Sequence, residues 1–207
     1  MAIELLLYHA SFTKLSDLLE HFAGLLIEGQ PGQNWSVESA GHMAVLCRPQ
    51  GIIVEAESQG VVESTIADDL TCGDTIHRFS FNPLLTIDEE TKVVNWLNND
   101  AIGRPYNWLL LGQDVVLGIA HYLTYILGNP ILSFLANCAP VDVLAGRAFI
   151  CYQIAAGVAN ATGRPALANN PATLTPLTIW GWQKAGLLNY EGVLNGDPDA
   201  PAGGGPE

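Results

Sequence analysis

Apolar and polar positions change period along this chain, and the changes mark out its elements. Residues 3–8 (IELLLY) read as a buried strand. From Lys14 to Ile27 the apolar residues Leu15, Leu18, Leu19, Phe22, Leu25 and Leu26 recur at helical spacing, which predicts an amphipathic helix. Glu28 to Ser39 is rich in Gly, Pro, Asn and Ser and reads as a loop. Two β-rich runs follow, His42–Cys47 and Gly51–Glu57, and the Arg48-Pro49-Gln50 between them predicts a hairpin. Gly60–Thr65 continues into a third strand, and His77–Phe81 predicts another. Ile87–Leu97 reads as an amphipathic helix with Thr86 as N-cap and Glu89 at the capping-box position.

The second half departs from that pattern. Between Trp108 and Ala139 only Asp114 is formally charged, and Gly112, Gly118, Gly128 and Pro130 interrupt the run. Because the Gly128-Asn129-Pro130 break leaves pieces shorter than the roughly 20 apolar residues a membrane span needs, 108–145 is read as buried or lid helices. A hairpin contacting lipid or a partner through 108–139 is the alternative. Arg147–Ala161 predicts a helix whose small Ala155, Ala156 and Ala159 allow close packing, with Gly163 as C-cap. Thr173–Trp182 is expected to return over the sheet. The chain therefore reads as one α+β domain over 1–190, an antiparallel sheet packed against helices, with a Gly/Pro/Asp-rich tail over 191–207.

Charge narrows the function. The 207 residues carry a formal net charge of −13 with only eight Lys and Arg. A phosphate backbone is bound through clustered basic groups, so nucleic acid is not an expected partner. The four cysteines (Cys47, Cys72, Cys138, Cys151) contain no CxxC unit, so neither a metal nor another cofactor is expected. The start, MAIELLLYHASF, lacks the features of a secretory signal, which favours a cytoplasmic or virion-associated protein with reduced thiols.

A reduced cysteine can serve as a nucleophile if a base lies within reach and a third group orients the base. If the hairpin turns at Arg48 and Pro49, opposed residues sum to 97, so His42 faces Glu55 on one side of the sheet. Cys151, near a predicted helix start, would gain from the helix dipole. Taken singly, a cysteine in Phe-Ile-Cys-Tyr is more often a small buried hydrophobe, and a strand histidine is more often structural. His9, His21, His77 and His121 have no acidic partner at hairpin spacing and are read as structural or surface residues. Asp68-Asp69 and Glu89-Glu90 are read as solvated carboxylates, and Trp108, Trp180 and Trp182 as core or groove residues.

Four short motifs add to this reading. Ser39-Ala40-Gly41-His42-Met43-Ala44-Val45-Leu46 and Gly51-Ile52-Ile53-Val54-Glu55-Ala56 resemble the histidine–glutamate block of the circularly permuted NlpC-like papain-fold cysteine hydrolases (YaeF/YiiX-type). Gly103-Arg104-Pro105-Tyr106-Asn107-Trp108 resembles that family's Gly/Pro/Tyr segment, Phe149-Ile150-Cys151 its cysteine-helix start, and Thr175-Pro176 a Thr-Pro that commonly follows. His42 precedes Cys151, as the permuted order requires. The resemblance covers about residues 3–180. It implies a permuted papain-like fold with Cys151 as nucleophile, His42 as base, Glu55 as orienting acid, and Tyr106 as an oxyanion or substrate contact.

Tyr152-Gln153 departs from the family's usual Ser-Glu, and 108–145 is longer than its usual connection. The implied activity is cleavage of an amide in a small peptide substrate, a cell-wall peptide first, or of a lipid amide or ester. An acyltransferase of the same fold and a non-catalytic assembly module, for example of a virus particle, are the alternatives.

Overall fold

A computed structural model describes residues 2–9, 42–48, 51–67, 75–113, 116, 146–147, 149–169, 174 and 176–194. The helix expected over 14–27, the loop over 28–39, Cys72, Cys138, nearly all of 114–145 and the segment 195–207 lie outside the described residues.

The fold is α+β. Six strands, β1 (Ala2–His9), β2 (His42–Arg48), β3 (Ile52–Glu57), β4 (Gly60–Thr65), β5 (Thr75–Phe81) and β6 (Leu188–Leu194), form one antiparallel sheet in the order β4-β3-β2-β1-β5-β6. Its central strands are apolar on both faces, so neighbouring residues bury in opposite directions. Ile3, Leu5, Leu7, Met43, Val45, Cys47, Val54, Ala56, Val61, Phe79 and Phe81 join the main core on one face. Leu6, Tyr8, Ala44, Leu46, Ile53 and Ile76 form a smaller cluster on the other. Beyond it on this second face, Arg78 donates from Nε and Nη2 to the buried Glu4 carboxylate at 2.7 and 2.9 Å.

The helices packed around the main core include α1 (Ile87–Trp96), α2 (Cys151–Ala161) and α3 (Pro176–Lys184). Helix α1 starts where the sequence places it. Thr86 Oγ1 accepts from Glu89 N, and the Thr86 N–H donates back to Glu89 Oε2. Helix α2 begins at Cys151 rather than at Arg147, because Phe149 pairs with Tyr106 as an isolated parallel bridge and is held extended. Residues 151–159 are all buried, so α2 is the central helix. Thr162 caps it, and Gly163 follows in the left-handed conformation (φ 74°) expected just beyond a helix end.

β6 runs to Leu194 as an edge strand, into the segment read from the sequence as a tail, its period obscured by a register shift opposite Arg78/Phe79 and by Gly192 at φ 92°. Glu89 and Glu90 are not a solvated pair, since Glu90 is buried and Glu89 is clamped by Arg164.

That clamp ties the end of α2 to the start of α1. Arg164 donates Nε and Nη2 to the two Glu89 oxygens at 2.7 and 2.9 Å, and reaches the carbonyls of Pro83 and Leu84. The Arg164 hydrogen bond, aided by the Thr86 N–H, lowers the Glu89 pKa from 4.5 to about 2. A depressed folded-state pKa stabilises the fold above the unfolded value and loses that contribution as pH falls toward the folded value. Unfolding midpoints of the native protein should therefore drop between about pH 4.5 and pH 2, and Glu89→Gln should flatten that part of the curve.

Candidate active site

His42 opens β2 and Glu55 lies in the middle of β3. The ladder pairs Ala44 with Glu55, so opposed residues sum to 99 rather than 97. The turn is one position later than expected, with Gly51 at its end in a left-handed conformation (φ 67°) and its N–H bonded to Cys47 O. A shift of two in the sum keeps every side chain on the same face, so His42 meets Glu55 diagonally instead of directly across. The contact is a hydrogen bond, His42 Nε2 to Glu55 Oε2 at 2.9 Å, with the two side chains 14% and 7% exposed. A carboxylate facing Nε2 favours the tautomer with the hydrogen on Nε2, in which Nδ1 is the acceptor.

Two neighbours complete this end of the sheet. The Tyr8 ring, paired with His42 across the β1–β2 ladder, stands edge-on to the imidazole with centroids 5.2 Å apart. Ser64, on β4, donates its hydroxyl to the second Glu55 oxygen at 2.7 Å. Sequence reasoning missed Ser64. Its signal was present: the Ser58-Gln59 turn pairs Glu57 with Gly60, which sets Ser64 on the Glu55 face two residues beyond Val62.

Cys151 is the first residue of α2, whose N-terminus is tied by the Gln153 side chain accepting from Ile150 N at 2.9 Å. Gln153 thus does at this helix start what Glu89 does at α1. The way into α2 passes the same end of the sheet as His42. Gly103 N bonds Val61 O, Val61 N bonds Arg104 O, and Phe149 N bonds Pro105 O. Gly60 permits this approach, since a Cβ there would lie 2.6 Å from Arg104 O. Tyr106, bridged to Phe149, is buried with its ring 4.6 Å from the Trp108 ring. His42, Glu55, Tyr106 and the start of α2 are therefore gathered at one end of the molecule.

They do not share one face. Alternation along β2 and β3 sets His42 and Glu55 on the side of Ala44, Leu46 and Ile53, whereas Cys151 belongs to the main core with Met43, Val45 and Val54. The sulfur can meet the imidazole only round the open start of β2, where His42 is the first residue, and not straight across the sheet. Cys151 is also fully buried. A helix N-terminus favours a thiolate and can hold an oxyanion, while an apolar surround opposes the charge. At Cys47, away from any helix start, burial and then the nearby Glu63 charge push the thiol up to about 11.

The remaining candidates fall into structural places. His77 is buried with its Nδ1 2.8 Å from the Tyr190 hydroxyl, and Trp180 and Trp182 are core residues, whereas Trp108 is half exposed. Among the described residues no group of three His, Cys, Asp or Glu side chains is placed to hold a metal ion, and no described helix is long and apolar enough to cross a membrane. Compared with family models, with curated proteins and with solved structures, the chain gives no significant match.

Proposed function

We propose that this protein is a cysteine-dependent hydrolase with a circularly permuted papain-like fold, cleaving an amide or a related ester through an acyl-enzyme. The observation that carries the reading is the part-buried His42–Glu55 hydrogen bond at the end of the sheet where Cys151 opens α2. A carboxylate on Nε2 fixes the tautomer that presents Nδ1 as a base, which is the arrangement a thiol nucleophile requires.

In this mechanism the Cys151 thiol gives its proton to His42 and the thiolate attacks the substrate carbonyl. The backbone N–H of Cys151 steadies the oxyanion, with Tyr106 as a further contact. Collapse expels the amine or alcohol, which takes the proton from His42 and leaves a thioester. Water, deprotonated by His42, then releases the acid and restores the thiol. A cell-wall peptide is the first substrate class. Lipid amides or esters are the second, on the strength of the apolar stretch that begins at Trp108 and Leu109, both about half exposed. An alcohol or amine in place of water would make the enzyme an acyltransferase.

One observation favours a second reading, a non-catalytic assembly module. Cys151 is fully buried and its side chain belongs to the core on the face opposite His42. Acid-quenched intact-mass analysis after incubation with p-nitrophenyl esters and N-acyl amino-acid anilides separates the two. The hydrolase reading expects an acyl adduct on Cys151, absent in Cys151→Ala and much reduced in His42→Ala. No adduct between pH 6 and 8, together with concentration-dependent oligomers, would establish the assembly module instead.

A further inference from the structure

We infer that Ser64 is a positioning residue of this site, holding the Glu55 carboxylate in the orientation that selects the His42 tautomer. The inference deepens the hydrolase reading and rests on it for its consequence at Cys151. Its geometric basis is independent of that reading. The two oxygens of one buried carboxylate are divided between two partners: Oε1 accepts the Ser64 hydroxyl at 2.7 Å, and Oε2 faces His42 Nε2 at 2.9 Å.

A terminal carboxylate torsion is broad and roughly two-fold, so a single contact to His42 leaves the group free to turn. A hydroxyl donor on the far oxygen removes that freedom. It also satisfies the lone pairs that would otherwise compete for the imidazole hydrogen. Three adjacent strands supply the three groups: His42 from β2, Glu55 from β3 and Ser64 from β4. The β3–β4 register pairs Ile53 with Ser64 and Glu55 with Val62, so Ser64 reaches Glu55 along the diagonal, as His42 does from the other side. Hydrogen bonds to ionised groups are the stronger kind, and loss of this one should reach the base it steadies.

The test uses full-length protein with 15N-labelled histidine, His42 being assigned through His42→Ala. Thr and Val at position 64 have nearly the same volume, so Ser64→Thr against Ser64→Val reads the hydroxyl apart from packing, even if Ser64→Ala folds poorly. In the native protein and in Ser64→Thr, neutral His42 is expected as the Nε2–H tautomer. In Ser64→Val its ring nitrogens should shift toward a tautomer mixture, and Cys151 alkylation by iodoacetamide at pH 6.5 should slow about tenfold. An unchanged tautomer in Ser64→Val would overturn the inference whatever Cys151 does. A tautomer that loosens while Cys151 is unreactive even in the native protein would uphold Ser64 and overturn the hydrolase reading.

Discussion

Gly157→Ala is expected to destabilise the protein by about 2 kcal/mol, the opposite sign from an ordinary Gly→Ala change within a helix. Alanine improves helix propensity by about 1 kcal/mol. At 157, however, a Cβ would overlap Cη2, Cζ2 and Cζ3 of the Trp96 indole. The indole cannot simply swing aside, because it packs edge-on against Phe149 with centroids 5.8 Å apart. Forcing it to move costs about 3 kcal/mol, the upper part of the usual overpacking range, and the helix gain offsets only part of that. For a chain of this size the net effect is a fall in Tm of about 4–8 °C. The cause is checked in a Trp96→Leu background, where the clash is gone and Gly157→Ala should become neutral or stabilising. A gain in stability in the native background would contradict this packing. The seat matters to function because Phe149 lies two residues before Cys151, so a displaced Trp96 moves the start of α2.

Much of the fold was legible from alternation and caps. The β2–β3 hairpin, the face shared by His42 and Glu55, and the α1 capping box all follow from residue type and spacing, because each is a local interaction. The exact register was not legible: a glycine at the end of the turn moved the pairing from a sum of 97 to 99. That error spared the site because it was even, and an odd slip would have separated His42 from Glu55. β6 went unread because its partner β5 is more than 100 residues away and its own period is broken at Gly192. The placement of Cys151 relative to His42 was the least legible feature. It depends on which face of the sheet the central helix covers, and single-strand alternation says nothing about that choice when β2 is apolar on both sides.

The hydrolase reading therefore stands or falls on communication between Cys151 and His42 round the start of β2. The most direct measurement is the pH dependence of Cys151 alkylation by iodoacetamide, with Cys47, Cys72 and Cys138 replaced by alanine, in the presence and absence of His42→Ala. Among the described residues the replacements remove one competing thiol, Cys47, whose burial already makes it a poor thiolate. If His42 and the helix N-terminus activate Cys151, alkylation will persist at pH 6–7, well below the ordinary thiol pKa of about 8.5, and His42→Ala will abolish it. A lowering of about two pH units gives up to a hundredfold more thiolate at pH 6. Slow alkylation that rises only above pH 8 and ignores His42→Ala would contradict the account, and would leave Cys151 a buried structural cysteine beneath a polar pair that serves the sheet.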